Sequence, residues 1–383
     1  MRDSQENPFR YGALALDEAF TDREGELAEL NADVLNGQDV VVFAPRRYGK
    51  SSLVWRLAQD ATAAGVLLAQ LDLMTTPTRE RFAEKLARAI HEQVASPLFR
   101  ARERLKVFAG LRIRPTVIVD PEDGSVSFSF EAEARRVDLD ATIEGLLELP
   151  GRLGAERGRR VALVLDEFQE ISAIGAELPR LMRAVFQAQP EVAHVYLGSK
   201  RHMMEQIFSD ENEPFWRSAK QIELGPIAPG AFRPYIEERF KRGRRRLDLP
   251  TLDGVLALTG GHPYATQELC YFLWQATPAG ERASPERLEA ALTGVLRSEH
   301  AHFSLVWENA SAVQRLVLLA LAREGPGAPL GSGYRRRHGL AGGPSVQKAL
   351  TALMRRELVV RRARGEYAIA EPFLAEWILR NEV

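Results

Sequence analysis

Residues 39–57 read DVVVFAPRRYGKSSLVWRL. Four apolar residues in a row, closed by a turn containing proline and glycine, have the length of a short strand buried on both faces. From Lys50 onward the composition becomes helical, so the stretch is a strand, a tight turn and the start of a helix expected over 50–63. The turn itself, Ala44, Pro45, Arg46, Arg47, Tyr48, Gly49, Lys50, Ser51 and Ser52, matches G-x-x-x-x-G-K-[ST] except at its first position, where Ala44 replaces glycine. Backbone N–H groups from Arg46 to Ser51 and the positive end of the helix would cradle a polyphosphate. Lys50 is placed to reach the outer phosphates and Ser51 to hold Mg²⁺. Alanine at position 44 is compatible with this turn if its φ stays negative.

A second strand signal supports the first. Residues 160–170, RVALVLDEFQE, are a buried apolar run ending in two carboxylates. In an open α/β sheet that end is the ligand-binding edge, so Asp166 is expected to orient the Mg²⁺ water shell and Glu167 to polarise an attacking water. Strands over 39–43, 65–72, 160–165, 193–198 and 221–224 alternate with helices over 50–63, 78–95 and 178–188, which predicts a parallel sheet covered on both faces. The strand 193–198 runs into Ser199, Lys200 and Arg201, and Ser199 is the candidate to sense a γ-phosphate or the lytic water. Arg217 is the candidate arginine for γ-phosphate charge. Thr259 to Leu269, TGGHPYATQEL, sets Gly260 and Gly261 for close backbone approach and His262 as a phosphate donor at the start of an apolar helix.

Lys50 and Asp166 are nearly twice as far apart as two βαβ steps need, and 99–138 contains PTVIVDPEDGSVSFSF, which alternates around Asp123-Gly124. This predicts a β-hairpin inserted in the sheet domain. Beyond Gly230 helical signals dominate, among them Ser284 as N-cap before Pro285. The expected domains are a phosphate-binding core over 1–229, a helical lid over 230–299 and a winged helix over 300–383. In the last, Ser311 and Gln314 form a capping box for a helix to Ala322, a glycine-rich basic loop spans 325–344, a helix covers 345–356, and VVRRARGEYAI turns at Arg364-Gly365. Gln347 and Lys348 lie off its apolar face and, with Arg361 and Arg362, are the candidate contacts to duplex DNA. Residues 301–383 carry 12 Arg+Lys and 7 Asp+Glu. KRGRRR at 241–246 reads as a helix end.

Across all 383 residues, 51 Lys+Arg face 52 Asp+Glu, a net charge of -1. No molecule-wide field draws nucleic acid or membrane, so any such contact is local. The single cysteine, Cys270, excludes an intrachain disulfide, and no histidine spacing suggests zinc. The expected location is cytoplasmic, without membrane insertion.

The ordered set NPF-x-YG, Phe20 with Arg23 and Glu24, PRRYGKSS, LVLDEFQE, LGSKRHMMEQIF, PFWRSAKQIELGPI and TGGHPY resembles the archaeal-type ATPase family in its bacterial form. These are STAND-like members of the AAA+ group, related to replication-initiator ATPases, and the resemblance covers nearly the whole chain. It implies an AAA+-like P-loop NTPase core of five parallel strands with helical lid and winged helix, binding ATP or ADP with Mg²⁺. It further implies that Phe20 and Arg23 flank the base and that His262 is a lid contact. The expected function is an ATP-operated switch acting through the winged helix on DNA or a protein partner. The alternatives are a DNA-binding initiator with mainly structural nucleotide and an interaction module of a signalling or defence assembly.

Overall fold

The computed structural model describes residues 6–12, 21–99, 101–119, 126–130 and 136–381. They form two compact units. One comprises residues 23–46 and 50–224; the other comprises the described residues before 23, the tripeptide 47–49, and everything from Gly225 onward.

The first unit is built on five parallel strands, β1 (Val40–Phe43), β2 (Leu67–Asp72), β5 (Val161–Asp166), β6 (Val192–Gly198) and β7 (Lys220–Glu223), in the order β2-β5-β6-β1-β7. All residues of β1 and β6 are buried, as expected for strands covered on both faces. The chain returns from β5 and β6 to lie beside β1, so the carboxyl ends of these three strands converge. The register fixes this: Phe43 lies opposite Gly198, and Leu165 opposite Tyr196. The helix Lys50–Ala63 starts at the expected residue. The amphipathic segment expected over 78–95 begins as α-helix at Arg79–Ala89 and widens into a π-helix over Ile90–Ala95.

The inserted hairpin is present as a separate antiparallel pair, β3 (Thr116–Val119) with β4 (Val126–Ser129). Its expected turn at Asp123-Gly124 lies outside the described residues. Phe128 is buried against Phe108 and His91, which anchors the hairpin to the helical segment after β2. The 22-residue helix Arg136–Arg157 follows, with Pro150 inside it. Its apolar residues Leu139, Ile143, Leu146, Leu147, Leu149 and Leu153 enter the core of this unit.

The second unit is helical. Helices Pro229–Arg242, Leu249–Thr259, Pro263–Gln275 and Pro285–Ser298 share one apolar core with the C-terminal elements. The expected boundary between lid and winged helix is therefore not a break in packing. The leading segment also differs from expectation: Phe9 is 1% exposed and packs on Tyr235 and Phe240, so NPFRYG belongs to this unit and not to the sheet domain. A short parallel pair, β8 (Arg246–Leu247) with β9 (Arg282–Ala283), interrupts the helices. Ser284 stands at the N-cap position, but its hydroxyl donates to Glu286 instead of accepting from the helix.

At the C-terminal end the capping box forms as read: Ser311 Oγ accepts from Gln314 N at 3.4 Å, and Gln314 Oε1 accepts from Ser311 N at 3.0 Å. Helix Ala312–Glu324 leads to a short helix, Ser332–Arg337, inside the stretch expected to be loop, because Tyr334 is buried over Gly327. Helix Gly343–Arg355 and the hairpin β10 (Val359–Ala363) with β11 (Glu366–Ile369) complete the arrangement, and a terminal helix Pro372–Asn381 packs under it. Among the described residues no helix is long and apolar enough to cross a membrane.

Candidate nucleotide site

The turn after β1 takes the conformation its residue types allow. Gly49 has φ +84° and Arg47 φ +67°, while Ala44 is not among the residues of positive φ, so its replacement of glycine brings no strain. Ala44 N donates to Gly198 O at 3.3 Å, fixing the start of the turn to the neighbouring strand end. The helix begins at Lys50, and Ser51 is exposed in its first turn with Ser52 buried beside it. In the loop between β1 and this helix Pro45 is half-buried and Arg46 and Arg47 are exposed. Within the second unit, Arg47 stacks on Tyr264 at 4.3 Å and pairs with Glu371 at 3.6 Å, and the Tyr48 ring lies 4.6 Å from that of His262.

At the convergent strand ends four of the expected residues meet. Lys50 Nζ lies 3.1 Å from Asp166 Oδ1 and donates to Glu167 Oε1 at 2.7 Å. Ser199 Oγ donates to Glu167 Oε2 at 2.8 Å. This follows from the strand order: β6 sits between β1 and β5, so its terminal hydroxyl falls between the lysine of one and the carboxylate of the other. Burial pushes the Glu167 carboxyl up, but hydrogen bonds from Lys50, Gln169 and Ser199 and the lysine charge outweigh it and hold the group down at about 2. Glu167 itself sits in the left-handed region at φ +52°, which is costly for a residue with a side chain.

Sequence reading missed Gln169, whose Nε2 donates to the same Glu167 oxygen as Ser199. Nothing in the pattern LDEFQE marks it; the 3₁₀ turn Phe168–Glu170 brings the side chain back toward the strand end.

Other expected residues stand elsewhere. Arg217 precedes β7, and since Lys220 is opposite Val40, it lies at the amino edge of the sheet, away from the edge holding Lys50 and Glu167. It is thus not brought together with Lys50 and Glu167, and its guanidinium lies 5.9 Å from the exposed Trp216 ring. Arg23 is buried and donates to Glu26 at 2.7 Å. Phe20 lies outside the described residues. His262 caps helix Pro263–Gln275, its Nδ1 accepting from Ala265 N at 3.3 Å, and burial beside Arg47 lowers its pKa to about 4. It is thus neutral near pH 7, with Nε2 as its N–H donor.

In the winged helix, Val346, Ala349, Leu350 and Leu353 face the core. Gln347, Lys348, Arg361, Arg362 and Arg364 are exposed, whereas Arg337 is paired with Glu324 at 2.7 Å.

Residues 301–380 match the family described as "Probable winged helix domain". No curated protein matches the chain. The fold is similar to that of a Walker-type ATPase of Pyrococcus abyssi, with a TM-score of 0.66 at 16% identity over 95% of this chain and 97% of that one. It is also similar to the ORC2 protein of Aeropyrum pernix in its ADPNP–ADP complexes, with a TM-score of 0.54 at 14% identity over 99% of this chain and 97% of that one. The chain thus shares its fold with these two proteins: a five-stranded parallel-sheet core with helices, followed by a C-terminal segment that matches the winged helix family.

Proposed function

We propose that the protein binds ATP with Mg²⁺ and hydrolyses it, and that the nucleotide state is passed to the winged helix. The observation carrying this reading is the cluster of Lys50, Asp166, Glu167 and Ser199 at the strand edge from which the phosphate-binding turn springs. The residues fit the group: a buried ammonium held by two carboxylates is a cation ready to exchange partners when a polyphosphate arrives. In this reading Lys50 transfers from the carboxylates to the outer phosphates. Ser51 and Asp166 are the residues that would hold Mg²⁺, which when bound would supply positive charge to the polyphosphate. Glu167, freed of the lysine, accepts a proton from water, and Ser199 keeps one of its oxygens in place. Arg23 and His262 are assigned to the nucleotide as side contacts, on the resemblance alone.

The test is direct. Lys50→Ala is expected to abolish ATP binding, and Glu167→Gln to bind ATP but turn it over about a hundredfold or more slowly. Equal steady-state rates for wild type and Glu167→Gln would remove Glu167 from this role. A second reading, in which the winged helix contacts duplex DNA, is favoured by the exposed Gln347, Lys348, Arg361, Arg362 and Arg364 on one small domain. ATPase rates with and without duplex DNA separate a DNA-responsive switch from one that answers to a protein partner.

A further inference from the structure

We propose that Gln169 is a positioning residue for hydrolysis, tying down Oε2 of Glu167 so that Oε1 is the oxygen left to take the proton of the attacking water. This rests on the hydrolytic reading of Glu167 given above.

Gln169 is 1% exposed, and an amide at that depth needs partners for both of its ends. Only its nitrogen has one, the Glu167 carboxylate; its Oε1 is buried with no hydrogen-bond partner among the described residues. The orientation of the amide is fixed, since a carboxylate can accept only from the nitrogen end. A leucine would fill the same space without an orphaned oxygen, so packing alone does not account for a glutamine here.

The space for it is made by a particular residue. At Gly198 a Cβ would fall 2.7 Å from Gln169 Oε1 and 2.4 Å from Met204 Cγ and Sδ. Gly198 immediately precedes Ser199, the other donor to Oε2. The end of β6 therefore supplies one hydrogen bond to that oxygen and the gap that admits the second.

The two oxygens of Glu167 are thereby made unequal. Oε2 is held by two neutral donors, Ser199 and Gln169; Oε1 is held by Lys50. When Lys50 moves to phosphate, Oε1 is released and Oε2 is not. The carboxylate direction is then held by these two bonds.

The experiment compares wild type with Gln169→Leu and Gln169→Met, which keep the side-chain volume and lose the N–H, in steady-state ATPase kinetics and in crystal structures with a non-hydrolysable ATP analogue. The expected result is kcat lowered about ten- to a hundredfold with KM within about threefold, and a Glu167 carboxylate turned from its wild-type direction in the analogue complex. A merely structural role would lower the melting temperature and leave kcat and the carboxylate direction where they are. Wild-type kcat in the folded variants, or an unmoved carboxylate, overturns the proposal. If wild type itself shows no turnover, the hydrolytic reading fails separately, and the carboxylate direction in the analogue complexes still decides whether Gln169 governs Glu167.

Discussion

Gly260 and Gly261 both have positive φ, +56° and +76°, yet their surroundings differ. A Cβ on Gly260 would meet nothing within 4 Å, whereas one on Gly261 would lie 2.2 Å from the carbonyl oxygen of Ile227. That oxygen cannot swing aside, because Ile227 N is bonded to Gly261 O at 2.9 Å and the two backbones are locked together. Gly260→Ala should then cost about 1–2 kcal/mol, the price of a left-handed alanine alone. Gly261→Ala should cost clearly more, beyond about 3 kcal/mol, because the backbone pairing must open as well. Urea unfolding of the two variants side by side reads the difference, and equal losses would mean that the contact yields. The sequence supports close approach at this pair, and for Gly261 the approaching group is the protein's own backbone.

At the scale of elements, legibility followed the strength of local signals. Buried runs such as VVVF and VALVLD have one reading, and the capping box at Ser311 and Gln314 is a reciprocal bond that local sequence dictates. Asp166, Glu167 and Ser199 stand at or just after the ends of buried strands, and Lys50 opens the helix after the turn that closes VVVF, so their positions were legible. The helix Arg136–Arg157 was not legible: it holds Pro150 and three glycines, and its burial comes from packing on distant segments. Helix Ser332–Arg337 is six residues long and stands among glycines, so only Tyr334 packing on Gly327 reveals it. That Arg217 stands at the other edge of the sheet was not legible, because a motif gives position along the chain and not the edge of the sheet. The wing carries its own prediction. If the winged helix grips duplex DNA, the exposed Arg361 and Arg362 contribute through phosphates. Replacing both with serine should then lower the slope of log affinity against log salt by about two, without changing ATP affinity. Fluorescence anisotropy over a salt series measures it; an unchanged slope takes these arginines out of any DNA contact.

For the molecule as a whole, pH dependence of stability sums over groups whose environment differs between folded and unfolded chains, and the helical unit contains two opposed ones. Glu268 is fully buried, and burial, then the carboxylates Glu299 and Glu371, raise it from 4.5 to about 8 against the lowering effect of Arg47. The neighbouring phenols of Tyr11 and Tyr264 are raised in turn, partly by Glu268. Such a carboxyl keeps a proton in the folded state that the unfolded chain has released, so stability falls as pH rises from about 4.5 to about 8. His262 acts the other way: with its pKa lowered from 6.5 to about 4, folding gains as pH rises through that interval and nothing more above it. Below pH 6.5 the two oppose each other; between 6.5 and 8 Glu268 acts without His262. Wild type should therefore lose about 1–2 kcal/mol of stability from pH 6.5 to 8, and Glu268→Gln, which carries no charge at any pH, should lose markedly less. Urea unfolding at the two pH values tests this, and parallel losses in wild type and Glu268→Gln would show that Glu268 is already ionised at neutral pH, with Arg47 as sufficient counter-charge.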